Sequence, residues 1–110
     1  PREVDLVWRA LSLADDMNEW TGRLRVEKTI PMAAGLGGGS SDAALALRLA
    51  MPDPDTSELH GQAATLGADV PFFLHGGSAL ATGSGTTIEA VDLPAYWLVI
   101  VTPRVEIPSK

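Results

Sequence analysis

Four glycines crowd into five positions of the run Pro31–Ala44, PMAAGLGGGSSDAA: Gly35, Gly37, Gly38 and Gly39. Such density disfavours a strand or helix interior, because each glycine there costs roughly 0.5–1 kcal/mol relative to alanine. The run predicts instead a backbone that curls, and the serines, aspartate and Ala/Leu series behind it read as a helix. A curl of this kind at a helix N-terminus exposes unpaired N–H groups where the helix dipole favours an anion. The expectation is an enzyme segment that handles a nucleotide phosphate.

Two familiar phosphate loops do not fit. A Walker A loop ends in Gly-Lys-Ser/Thr, and no lysine stands at the corresponding place. A dinucleotide fingerprint opens a helix inside a βαβ unit, which the Pro31 approach and consecutive glycines match poorly. Ser40 or Ser41 is expected to cap the helix, with Asp42 in its first turn. Ala43–Ala50, apolar apart from Arg48, predicts a helix packed on most sides.

The rest of the chain divides as follows. Val4–Ala14 carries apolar residues at helical spacing (Leu6, Ala10, Leu13 and Ala14; Val7 and Leu11). Asp15–Gly22 reads as a turn. Arg23–Thr29 alternates, Leu24 and Val26 against Arg23, Arg25 and Glu27, which predicts a half-buried strand. Met51–Asp55, with two prolines, is a break, and Thr56–Leu66 a helix capped at Asp55 or Thr56 and ended by Gly67. Ser78–Thr82 and Thr86–Val91 flank Gly83-Ser84-Gly85 and predict a hairpin. Ala95–Val101, aromatic and β-branched, predicts a further strand, with Pro103 and Arg104 after it. The order fits an α+β layer arrangement with helices on a mostly antiparallel sheet.

Charge and composition narrow the partners. Eight basic residues stand against fourteen acidic ones, a net charge of −6, and only Lys28 and Lys110 are lysines. Nucleic-acid binding, which needs clustered cations, is not expected. Neither is a membrane role, since the longest apolar run, Tyr96–Val101, is far too short to span. The chain has no cysteine, which excludes disulfides and thiolate metal sites and leans toward a reducing compartment; the opening PREVDLVW shows no signal-peptide pattern. A cytoplasmic location is expected. His60 and His75 are too few for a zinc site and read as surface or packed residues. Trp8, Tyr96 and Trp97 read as core or interface.

A second stretch, Leu66–Phe73, LGADVPFF, sets Asp69 between a helix end and an apolar aromatic segment. A carboxylate beside dry packing can orient or deprotonate a hydroxyl nucleophile in phosphoryl transfer. The plainer alternative is a cap or loop anchor.

GLGGGSSDAA and LGADVPFF, in this order and followed by GGSALATGSG, resemble the motifs of the GHMP small-molecule kinases. PAYWLVIVTPRVEIPS resembles a strand and proline turn of the same enzymes, so the resemblance runs from about Val4 onward. It implies a partial N-terminal domain of that family across residues 1–110, α+β and ribosomal protein S5 domain 2-like. Family members also carry an upstream strand with a catalytic lysine and a C-terminal domain, neither expected in this chain.

The resemblance further implies that Gly35, Leu36, Gly37, Gly38, Gly39, Ser40 and Ser41 wrap the phosphates of ATP, with Ser40 or Ser41 near Mg2+. It makes Asp69 the general base or orienter of the substrate hydroxyl, and puts Asp5 and Leu6 at the adenine pocket. The family usually has asparagine where this chain has Asp5. The triple-glycine form resembles the branch that phosphorylates the 2-hydroxyl of 4-diphosphocytidyl-2-C-methyl-D-erythritol in non-mevalonate isoprenoid synthesis. Another GHMP alcohol kinase, or an inactive nucleotide-binding fragment or subunit, are the alternatives. The 110-residue chain alone is expected to be inactive or nearly so.

Overall fold

A computed structural model describes residues 5–14, 23–31, 34–51, 57–85 and 87–101. The element order is α1 (Leu6–Ala14), α2 (Gly38–Ala50), α3 (Ser57–Leu66), α4 (Val70–His75), β1 (Ala79–Thr82) and β2 (Thr87–Ala90). The class is α+β, as expected. The turns at Asp15–Gly22 and Pro52–Asp55, the caps Asp55 and Thr56, and Pro103 and Arg104 lie outside the described residues.

The core is built where helices bring small residues together. Ala10 of α1 and Ala43, Ala44 and Ala46 of α2 are buried, so the two backbones approach closely around Val7 and Leu47. Helix α3 adds Leu59, Ala63 and Leu66, one stripe at helical spacing, and α4 adds Val70 and Leu74. Leu47, Leu59 and Val70 are fully enclosed, each contributing about 1.5–3 kcal/mol of hydrophobic stabilisation. Leu45 and Leu49, by contrast, are 58% and 55% exposed. The expectation that α2 is packed on most sides is therefore corrected: its neighbours cover one side.

Helix α4 has no counterpart among the elements expected from the sequence. Pro71 stands in its first turn, where a missing N–H costs nothing. Gly76, at φ 71°, ends it by a conformation that L side chains avoid, and its N–H donates to the Phe72 carbonyl. The hairpin follows in antiparallel register, Ala79 opposite Ala90 and Thr82 opposite Thr87. Helix α4 also touches β2, which docks the hairpin onto the helical layer.

Two predicted strands are corrected. Residues 23–29 join no ladder among the described residues, and only half of the expected inner face is covered: Leu24 packs against the core, Val26 is exposed, and Arg25 and Glu27 pair outside. Residues 95–101 also form no ladder there and stand exposed, Trp97 completely so. Trp8 and Tyr96, expected in a core or interface, are 45% and 59% exposed. A strand is a cooperative object that exists only with a partner to hydrogen-bond, and alternation alone does not supply one. No helix among the described residues is long and apolar enough to cross a membrane.

Candidate functional site

The glycine run folds as a curl leading straight into α2. Gly35 and Gly37 have φ of 70° and 69°, and Gly37, in the left-handed region, is the N-cap residue. The first helical bond is donated by the Ser41 N–H to the Gly37 carbonyl at 2.9 Å. The N–H groups of Gly38, Gly39 and Ser40 therefore precede the helix's own hydrogen bonding. This corrects the expected start. Neither serine is the cap, and Asp42 lies beyond the first turn, because left-handed Gly37 lets the helix begin among the glycines themselves.

Close packing fixes the curl. A Cβ on Gly37 would stand 2.6 Å from the Phe73 ring, and one on Gly38 would stand 3.0 Å from Ile30 Cβ. The glycines thus admit neighbours to the backbone from beneath, through Phe73 of α4, and from the side, through Ile30. The Phe72 and Phe73 rings meet edge to face at 5.4 Å, which supports the one under the loop.

Above the curl lies a cavity of about 400 Å3 bounded by Asp5 and Leu6, residues 27–31, residues 34–40 and Asp42. The structure brings most of the expected phosphate and base residues to this one cavity: Asp5, Leu6, Gly35, Leu36, Gly37, Gly38, Gly39 and Ser40. Of the two serines, Ser40 lines it, whereas the Ser41 hydroxyl donates to the Gly38 carbonyl at 2.9 Å.

Asp5 caps α1, its Oδ1 accepting from the Val7 N–H at 2.9 Å. Its other oxygen lies 3.9 Å from Lys28 Nζ, which donates to Asp42 Oδ2 at 2.7 Å. Lys28 had no signal in the sequence, because its partners come together only in the fold, Asp42 fourteen residues away. With side chains between 33% and 43% exposed, the pairs contribute about 0.2–1 kcal/mol each. Their importance is geometric: they fasten the residue 27–31 wall to the starts of α1 and α2.

Asp69 stands apart, exposed, at the start of α4, and does not line the cavity. Its carboxylate makes no capping hydrogen bond, which removes the plainer role as a side-chain cap. The turn that carries it is closed by the Val70 N–H donating to the Gly67 carbonyl at 3.1 Å. The hairpin holds this turn from outside: a Cβ on Gly85 would fall 2.7 Å from the Ala68 carbonyl oxygen. Asp69 and the glycine curl are thus linked through α4, whose N-terminus bears one and whose Phe73 underlies the other. His60 and His75 are exposed, and no group of three or more His, Cys, Asp or Glu among the described residues could hold a metal.

The chain is 46% identical over 118 residues to a 4-diphosphocytidyl-2-C-methyl-D-erythritol kinase of Burkholderia thailandensis. It is 47% identical to proteins of that name from Burkholderia mallei and Burkholderia pseudomallei. The alignments take in 99% of this chain but 39% of each of these relatives. Residues 5–77 match the model of the GHMP kinases N terminal domain. That span contains Asp5, the glycine curl and Asp69 together, and with it the chain belongs to the GHMP kinase family.

Proposed function

We propose that this chain supplies the ATP-binding loop and the aspartate base of a small-molecule kinase. The reaction is phosphorylation of the 2-hydroxyl of 4-diphosphocytidyl-2-C-methyl-D-erythritol, in non-mevalonate isoprenoid synthesis. The observation that carries the reading is the cavity over left-handed Gly37, with the N–H groups of Gly38, Gly39 and Ser40 at the start of α2. Names of relatives with 46–47% identity supply the substrate. Residues 1–110 are read as part of an N-terminal domain, and the cytoplasm as the compartment, which the cysteine-free composition suits.

The residues present fit the phosphates of ATP. Gly38, Gly39 and Ser40 N–H groups would donate to phosphate oxygens, and glycine at 37–39 keeps Cβ atoms out of the way. Ser40 Oγ would be the protein oxygen nearest Mg2+, an ion that takes few protein ligands when phosphates supply the others. Bound ATP supplies the phosphoryl group that is transferred. Asp69 would orient the acceptor hydroxyl and take its proton as the oxygen attacks.

The test is a coupled ADP-release assay with the diphosphocytidyl substrate, on the full polypeptide to which the chain corresponds. Asp69→Asn is expected to lower kcat by at least about a hundredfold while nucleotide affinity stays within about twofold. Undiminished turnover in that variant would overturn the role of Asp69. The 110-residue chain by itself is expected to turn over well below about 1 s−1, the lower end for kinases. Lys28, the one lysine among the described residues, is already paired with Asp42. Magnesium-dependent ATP binding with no transfer even in the full polypeptide would favour a binding module instead.

A further inference from the structure

A group that takes a proton from the attacking hydroxyl must be held closely in register with the phosphates. The Asp69 carboxylate makes no capping hydrogen bond and does not line the cavity. Its place is inherited from α4. That helix has six residues, too few to stand by itself, so packing decides where it lies. Val70 and Leu74, one turn apart, are buried in the core and root it there. Asp69 and Phe73 form the neighbouring row. Asp69 already has helical angles, φ −86° and ψ −16°, and its carbonyl accepts from the Phe73 N–H at 3.4 Å. Side chains four residues apart on a helix share a face, with Cβ atoms about 5–6 Å apart.

The far end of this row rests on the phosphate loop. A Cβ on Gly37 would stand 2.6 Å from Phe73 Cζ and 2.7 Å from Cε2, so the tip of the ring lies against the glycine backbone itself. Gly37 is the N-cap of α2, and the N–H groups of Gly38, Gly39 and Ser40 follow it directly. An aromatic ring has no internal torsion, and its reach from backbone to tip is therefore constant. Phe72, meeting it edge to face at 84°, holds its plane. One rigid side chain thus spans from the loop to the turn of helix that begins with Asp69.

We propose that Phe73 is a positioning residue for phosphoryl transfer, a fixed spacer that sets the separation between the glycine curl and Asp69. The inference rests on the reading of the curl as the ATP site and of Asp69 as the base. Leucine at 73 keeps the position apolar but stops short of Gly37, which frees the curl and α4 to shift against each other. Phosphates and acceptor then still bind, while the base loses its alignment, a loss that falls on kcat.

The experiment is a double-mutant cycle in the full polypeptide, with kcat from ADP release and ATP affinity from equilibrium binding. Phe73→Leu is expected to lower kcat about tenfold with ATP affinity within about threefold. Asp69→Asn removes the group that Phe73 aligns. Adding Phe73→Leu to it is therefore expected to change kcat by less than about twofold. A merely structural phenylalanine would multiply the two losses, and that outcome overturns the inference while the base reading of Asp69 stands. An undiminished kcat in Phe73→Leu, or a loss confined to ATP affinity, overturns it likewise. Full turnover in Asp69→Asn, or no ATP binding by the native protein, overturns the functional reading and the inference together. Should the leucine variant not fold, Phe73→Met is read in its place against the same outcomes, since methionine fills a similar volume with a flexible chain.

Discussion

At the scale of single residues, the glycines of the curl do different work despite their shared run. Gly35 and Gly37 both have positive φ, but a Cβ at Gly35 meets open space whereas one at Gly37 meets Phe73 at 2.6 Å. Gly35→Ala is accordingly expected to cost about 1 kcal/mol, the backbone strain alone. Gly37→Ala adds a core clash and should cost roughly 2–4 kcal/mol. Urea denaturation of the two variants measures the difference; equal losses would mean that Phe73 does not support the loop. Gly39 is a third case, inside the helix, where an added Cβ would meet Leu6 Cδ1 at an ordinary 3.6 Å. Gly39→Ala should leave stability unchanged or raise it by up to about 1 kcal/mol, while weakening triphosphate binding because the methyl narrows the cavity. Calorimetric titration beside a thermal melt would separate the two effects, and unweakened binding would count against phosphates at this position.

At the scale of elements, the short helix α4 and the hairpin act as a bracket for Asp69. Gly85, at φ 85° and with the Ala68 carbonyl 2.7 Å from where its Cβ would be, lets the hairpin loop close onto the turn that bears the aspartate. Gly85→Ala is expected to displace the hairpin and lower kcat of the full polypeptide by about tenfold or more, with nucleotide binding nearly intact. An unchanged kcat would mean that Asp69 holds its place without the hairpin. Half of this bracket was legible in the sequence. Helix α1, helix α3 and the hairpin were, because periodicity and a Gly-Ser-Gly turn are local signals that need no distant partner. Helix α4 was not: Val70–His75 is one short apolar run, which periodicity assigns equally to a helix or a strand. The start of α2 was hidden for a related reason, since the glycines that cap and open it are weak helix formers whose place is set by Phe73 and Ile30. The cavity's phosphate side was visible as a motif, but Lys28 and the exclusion of Asp69 from the cavity depend on contacts between distant segments.

At the scale of the whole molecule, the balance between buried and exposed apolar surface decides how the chain behaves in water. The buried core among the described residues has eleven members, five of them alanine, which is little apolar area to hold a chain together. Meanwhile Leu93 and the unbroken run Tyr96–Val101 are all more than half exposed. Both alternating faces of that run are apolar, Tyr96, Leu98 and Ile100 on one and Trp97, Val99 and Val101 on the other, a pattern that belongs in a sheet covered from both sides. The radius of gyration, 15.1 Å, exceeds the roughly 13 Å of a compact domain of similar length. Curated relatives extend well past the 39% of their length that this chain spans, and the isolated 110-residue chain must meet water with the run uncovered. A bare apolar edge of this kind pairs with other chains. The isolated chain is therefore expected to self-associate with rising concentration in sedimentation velocity. Val99→Lys with Ile100→Lys should suppress that association while leaving the helical circular dichroism unchanged, because neither side chain belongs to the buried core. Association that persists in the double variant would move the sticky surface elsewhere, the exposed Leu45 and Leu49 of α2 being the next to test.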